Sequence, residues 1–425
     1  MGRAGPTRIR RKRNASARAI PFGNHCSHPR VRLTEKRTLA FASKCHQLSL
    51  PVSVEDESPT DRQRRAFRQD LLDWYDANKR SMPWRETDDP YRIWVSEIML
   101  QQTRVDTVRD YYPRFLEAFP TVEALAAAER DEVLKHWEGL GFYARARHLH
   151  EAARTVVDEH DGAVPDSMDA IKDLKGVGPY TAAAVLSIAH QKPHAVLDGN
   201  VKRVLTRVFA VEEDATTTST ERELRRLANE LLDADRPGAF NQAMMELGAL
   251  VCTPSTPLCD RCALQNVCRA HEAGTEEDYP VTPDSKPVPH HDIAVGLVFN
   301  EDGNRLLIQR RPDEGLLGGL WEFPGGKQED GESMEEACRR EVKEELGIDV
   351  AVEEPFYTLS HAYSHFKITL HAFRCRIEAG TPEAREDQPF QWIGLDELDD
   401  YAFPRANRRL IEELERRQTE PSLFD

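Results

Sequence analysis

Leu174-Lys175-Gly176-Val177-Gly178-Pro179-Tyr180-Thr181, followed by the alanines at 182–184, decides how this 425-residue chain is read. Two glycines within three residues let a backbone turn tightly and come close to a ligand. Pro179 suits the first turn of a helix, where its missing N–H is no loss. Free amide N–H groups at such a helix start can grip a phosphate without cationic side chains. That matters because the chain is acidic, with a formal net charge of −16. The charge is also uneven. Residues 1–50 carry twelve Lys and Arg against the single acid Glu35, which leaves 45 basic and 72 acidic side chains in the remainder. A broad positive field cannot draw that body to nucleic acid, so any such contacts must be local.

Around this stretch, from about Arg62 to Leu250, apolar residues recur at helix spacing, as in Phe67, Leu71, Leu72, Trp74 and Tyr75. Turn signals such as Met82-Pro83, Phe119-Pro120 and Gly139-Leu140-Gly141 break the pattern at short intervals. A multi-helix region with little sheet is expected. Residues 271–291, rich in Pro and acids, read as a linker. From Ile293 the period changes. Ala294–Phe299 and Arg305–Ile308 flank Asp302-Gly303 as a hairpin, a helix follows at about Met334–Leu346, strands lie near Phe356–Ser360 and Lys367–Arg376, and a last helix covers about Asn407–Arg417. The expected organisation is a basic, disordered extension over 1–58, a helical domain over 59–250, a cysteine loop over 251–270, the linker, and an α+β domain over 292–425. No run approaches about 18 consecutive apolar residues, so a membrane-spanning helix is excluded.

Four of the eight cysteines crowd together as Cys252-x6-Cys259-x2-Cys262-x5-Cys268, while Cys338 and Cys375 are scattered. Such clustering points to a metal centre rather than a disulfide framework. Four thiolates on one loop can ligate a [4Fe–4S] cube or one tetrahedral zinc. In Trp94-Val95-Ser96-Glu97-Ile98-Met99-Leu100-Gln101-Gln102-Thr103 the apolar residues cover most of a helix circumference. Glu97 then sits in an apolar setting, which raises a carboxyl pKa toward what a general acid needs. Asp198, in Leu197-Asp198-Gly199-Asn200, is by itself most simply a helix N-cap. Paired with Glu97, it also fits glycosidic-bond chemistry, in which one carboxyl protonates the leaving group and another supports an oxocarbenium-like sugar.

The hairpin stretch resembles a helix–hairpin–helix DNA-binding element. The cysteine loop resembles the iron–sulfur loop of the endonuclease III superfamily. With Met82-Pro83-Trp84-Arg85, Gly139-Leu140-Gly141, Asp198-Gly199-Asn200 and Glu246-Leu247-Gly248-Ala249, the chain resembles the MutY-type adenine DNA glycosylases from about Arg62 to Cys268. The resemblance implies a [4Fe–4S] cluster on the four cysteines. It makes Glu97 the group that protonates adenine N7 and later handles the attacking water, and Asp198 the group that stabilises the sugar, with Tyr180 and Asn200 assisting. Trp84, Arg85, Leu100 and Glu246 match the adenine pocket. Gln102 and Phe142 match positions that wedge into the duplex opposite 8-oxoguanine, and Thr103, Gly141, Gly176 and Gly178 fall in the DNA-contacting stretches. Phe142 replaces the usual Tyr. Strand-cleaving relatives carry a Schiff-base lysine where this chain has Tyr180, and a phenol cannot form that imine. A monofunctional enzyme is therefore implied, acting as a monomer on duplex DNA with adenine opposite 8-oxoguanine or guanine.

Gly326-x5-Glu332-x7-Arg340-Glu341-Val342-Lys343-Glu344-Glu345-Leu346-Gly347 fits a complete Nudix box. Glu341, Glu344 and Glu345 at i, i+3 and i+4 share a helix face and suit Mg²⁺ beside a diphosphate. Many MutY-type proteins instead carry a Nudix-like domain that reads 8-oxoguanine in DNA. Tyr363-Ser364-His365 resembles their lesion-contacting loop, with Ser364 and His365 as hydrogen-bonding groups. Two uses of the domain thus stand side by side: a reading module with no metal, or a hydrolase of oxidised nucleoside triphosphates. The expected setting is a bacterial cytoplasm, close to the nucleoid; the Arg-rich first 50 residues make mitochondrial targeting the alternative.

Overall fold

The computed structural model describes residues 59–283, 287–363, 365–385 and 388–419. The extension over 1–58 and Ser364 lie outside the described residues. Helices run from Asp61–Asn78 to Arg269–Ala273 before the first strand begins. Two apolar cores organise them. One gathers Trp94, Met99, Phe115, Phe119 and Trp137, and the other gathers Leu71, Leu205, Phe240 and Leu247. The helix Pro179–Ile188 lies between the two. Its Ala182, Val185 and Leu186 face the first core and its Ala183 and Ala184 the second. Small side chains on both faces let neighbours approach closely. Helix Pro237–Leu250 does so at both ends. A Cβ on Gly238 would stand 2.7 Å from the Ser187 carbonyl, and one on Gly248 would stand 2.6 Å from Asn200 Cβ.

Between helix Met168–Asp173 and helix Pro179–Ile188, Gly176 takes φ +76°, the left-handed conformation the turn requires. Gly178 differs. Its φ is −85°, so it serves through its missing side chain rather than an unusual backbone.

The sheet domain is built on β1 (His290–Phe299), whose residues alternate between two buried faces. Val295 and Leu297 join one core, Ala294 and Val298 the other. With β2 (Leu306–Arg310), β3 (Trp321–Glu322), β4 (Gly325–Lys327), β5 (Asp349–Ala362), β6 (Lys367–Ala379) and β7 (Phe390–Ile393), it forms one sheet ordered β3-β2-β1-β6-β5, β4 pairing with β1 and β7 with β2. The β1–β6 pair is parallel and the other pairs are antiparallel. Helix Met334–Leu346 covers one face and helix Arg405–Thr419 the other, an α/β layering with a mixed sheet. Ser333 and Glu336 form a capping box at the start of the first of these, and Gly347 closes it in the left-handed conformation. Cys338 and Cys375, far apart in sequence, meet in this core with their sulfurs 3.7 Å apart.

The sheet domain docks on the helices through two loops and one helix. Leu320 and Ala402 are buried within the first helical core. Arg147 donates to the Asp313 carbonyl at 2.9 Å, and Glu138 accepts from Arg408 Nε at 2.7 Å and from the Phe403 amide at 2.8 Å. Leu320→Ala should therefore destabilise the helical part as well as the junction. The expected cost is about 2–5 kcal/mol, read as a lower denaturant midpoint followed by helix circular dichroism.

Candidate active site

Helix Pro90–Leu100 buries Tyr91 and every residue from Ile93 to Met99, Glu97 among them at 4% exposure. A carboxyl in that position loses its hydration, and burial pushes its pKa up to about 7. The Tyr180 hydroxyl donates to Glu97 Oε2 at 2.9 Å and opposes the rise, while the Asp198 charge adds to it. Tyr180 comes from the first turn of the helix between the two cores, so hairpin and acid are joined directly. Burial also raises the Tyr180 pKa, and the phenol keeps its proton.

Asp198 caps helix Gly199–Phe209, accepting from the Val201 amide at 2.7 Å. Its other oxygen accepts from Asn200 Nδ2 at 3.0 Å. Capping and chemistry are compatible here, because the cap fixes the carboxylate while Asn200 orients it. Desolvation by burial raises its pKa too. Asn200 is itself held by Arg203, 2.8 Å away, and Arg203 Nε reaches the Cys252 carbonyl at 2.7 Å. One turn later Arg207 donates to the Thr253 carbonyl at 2.7 Å and to Cys252 Sγ at 3.4 Å. Sequence reading overlooked both arginines, whose only early signal is their spacing of four on a helix that starts at Asp198.

Cys252, Cys259, Cys262 and Cys268 are half-buried free thiols lining one cavity with Val204, Leu247 and Leu264. Burial pushes the Cys259 thiol up to about 12 and the Cys262 thiol to about 11. Their surroundings alone do not favour thiolates; a bound metal centre would supply that stabilisation. The donor set and the nearby arginine cation fit a four-thiolate centre. Cys259, His271 and Glu276 also come within 4.8 Å of one another and could hold a single ion.

Of the four residues matched to the adenine pocket, the structure gathers two. Glu246, 2% exposed, takes Arg85 Nη2 at 3.0 Å. Arg80, which the sequence reading did not single out, adds bonds from its side chain and its amide. Burial raises the Glu246 pKa, but the hydrogen bonds from Arg80 and Arg85 outweigh it and hold the carboxyl at about 2. Trp84 meets Tyr112 edge-on, their rings 5.6 Å apart, and Leu100 is half-buried against the first core. Gln102 and Phe142, the matched wedge positions, both have positive φ, 55° and 50°.

In the sheet domain Tyr363 stacks on Phe366 at 4.6 Å. Both line a cavity of about 560 Å³ together with His365, Glu341, Glu345 and Asn407. Glu345 accepts from the Gly325 amide at 2.9 Å and Gln309 at 2.6 Å, and burial pushes its carboxyl up to about 7. Glu344 stands apart from the cavity lining, its side chain 56% exposed. The expected shared face therefore brings two of the three carboxylates together. The buried Glu322, not singled out from sequence, stands with those two in the lining.

Residues 95–230 match the HhH-GPD superfamily of base excision DNA repair proteins, and residues 294–413 match the NUDIX domain. The chain is 37% identical over 398 residues to the adenine DNA glycosylase of Rattus norvegicus, covering 81% of this chain and 77% of the relative. Against that of Homo sapiens it is 35% identical over 401 residues, covering 81% and 73%. This chain belongs to the adenine DNA glycosylase family. A solved thermostable thymine-DNA glycosylase is 31% identical and overlaps 50% of this chain and 98% of its own, with a TM-score of 0.46.

As an adenine DNA glycosylase of base excision repair, the chain hydrolyses an N-glycosyl bond. Glu97, its carboxyl raised to about 7, has the placement of a general acid for a departing base. Asp198, held by the Val201 amide and Asn200, has the placement of a carboxylate that can offset positive charge on a sugar. Glu97→Gln should lower single-turnover excision by about 10²–10⁴-fold, and parental activity should fall as pH rises through about 7. Stability has a matching signature. Folding raises the Glu97 pKa, so its stabilising contribution is present at low pH and lost as pH rises through about 7. Glu97→Gln should thus gain up to about 3 kcal/mol relative to the parent between pH 5 and pH 8, read from urea midpoints.

Proposed function

We propose that the chain excises adenine opposite 8-oxoguanine or guanine in duplex DNA by hydrolysis alone, leaving an abasic site. The observation that carries this is the buried Glu97 hydrogen-bonded to Tyr180, at the position where strand-cleaving relatives have a lysine. Lys202, the lysine closest in sequence to Asp198, is held 2.8 Å from Glu221. The duplex sits on the hairpin amides, Gln102 and Phe142 enter it, and the extruded adenine meets Glu97. Extrusion costs a few kcal/mol of unstacking, less at a mismatch, which contributes selectivity. The four cysteines hold a [4Fe–4S] cluster as a structural element, and the Tyr363–His365 loop contacts the oxidised base.

Single-turnover assays on duplexes with adenine opposite 8-oxoguanine, guanine and thymine test the reading; the expected order of rates is 8-oxoguanine, guanine, thymine. Cleavage at the abasic site trappable with borohydride would refute the hydrolysis-only assignment. Tyr180→Lys should introduce such trapping. The purified protein should be brown and carry about four irons per chain.

One observation favours a second activity alongside the first. The stacked Tyr363 and Phe366 face the same cavity as Glu341 and Glu345, an arrangement suited to a free nucleotide with Mg²⁺. Full-length protein given 8-oxo-dGTP and Mg²⁺ should then release pyrophosphate, and Glu341→Gln with Glu345→Gln should abolish release while sparing adenine excision.

A further inference from the structure

Gln102 and Phe142 stand in left-handed conformations that cost a non-glycine residue about 1–3 kcal/mol each. They lie on different segments, one just past helix Pro90–Leu100 and the other just before helix Ala144–Glu159. One side chain reaches both. Arg145 Nη1 donates to the carbonyls of Ile98 at 2.8 Å and Met99 at 2.9 Å, and to that of Gln101. Its Nη2 donates to Thr103 Oγ1 and to the Gly141 carbonyl, both at 3.0 Å. The guanidinium also lies 5.3 Å from the centre of the Phe142 ring. The carbonyls at 98 and 99 are among those a helix leaves unpaired at its C-terminus, and Gln101 is its cap. Here they belong to the helix that carries Glu97.

We propose that Arg145 is the positioning residue that fixes the two wedge turns and sets their register to the Glu97 helix, so that entry into the duplex delivers adenine to the acid. This rests on the reading of Gln102 and Phe142 given above. A guanidinium can do this because its donors form a rigid planar fork; an ammonium on a flexible stem cannot span the same acceptors. Burial lowers the Arg145 pKa only to about 10, so the charge persists at neutral pH. Arg145 holds the two turns and makes no hydrogen bond to Glu97 among its partners above, so its effect belongs to extrusion rather than to proton transfer.

The test uses full-length protein and a duplex with 2-aminopurine at the target position opposite 8-oxoguanine, whose fluorescence reports unstacking. Arg145→Lys should slow unstacking at least tenfold and lower single-turnover adenine excision by the same factor. The pH at which excision declines should stay at the parental value, because Glu97 keeps its burial. Free methylguanidinium should partly restore unstacking in Arg145→Ala. Thr103→Val, which removes one acceptor and keeps the arginine, should slow unstacking about two- to fivefold and serves if the arginine variants fail to fold. Parental unstacking in Arg145→Lys or Thr103→Val, or a loss accompanied by a shifted pH limb, would overturn the proposal. Gln102→Ala and Phe142→Ala separate the two readings. If they leave unstacking unchanged, the wedge assignment itself fails; if they slow it while Arg145→Lys does not, only the role of Arg145 fails.

Discussion

The 2.9 Å hydrogen bond from Tyr180 to Glu97 joins three things the chain supplies separately: an apolar helix, a tight hairpin and an ionisable acid. Burying a carboxyl works against folding at neutral pH, and the two cores around helix Pro179–Ile188 provide the packing that makes it tolerable. The small residues of that helix have a direct mechanical role. They let helices from both cores close on it, which brings Glu97 and Asp198 close enough for the Asp198 charge to act on the Glu97 carboxyl.

Helix Gly199–Phe209 carries the second half of the arrangement. Its cap is Asp198, its first turn supplies Asn200, and Arg203 and Arg207 below them hold the carbonyls at Cys252, Thr253 and Pro254. The same helix thus grips the start of the cysteine loop through two arginines and carries Asp198 as its cap.

Much of this was legible in the sequence where the signal is local. Met334–Leu346 has its observed limits because Ser333, Glu336 and Gly347 act within a few residues of the ends. Glu97 reads as buried because apolar neighbours surround it on its own helix. Strand β5 runs from Asp349, well before the expected Phe356, because pairing with β6 continues through register shifts around Pro355 that break the alternation a strand is read by. The ion pairs on Glu246 join residues more than 160 positions apart, and the carbonyls gathered by Arg145 come from two separate stretches of the chain. Periodicity cannot foresee such contacts, since they exist only once the helices have packed.

Gly178 leaves the start of helix Pro179–Ile188 without a side-chain cap, and among the described residues, its chain neighbours aside, no atom stands within 4 Å of where a Cβ would be. On the proposed reading, a phosphate received there would be held by neutral amides rather than by lysines. Fewer condensed cations leave the DNA when contacts are of that kind, so affinity falls less steeply as ionic strength rises. A strongly anionic enzyme gains little from long-range attraction in any case. On that reading its encounter with the double helix would rest on shape and close approach, a mode of association that weakens little in concentrated electrolyte.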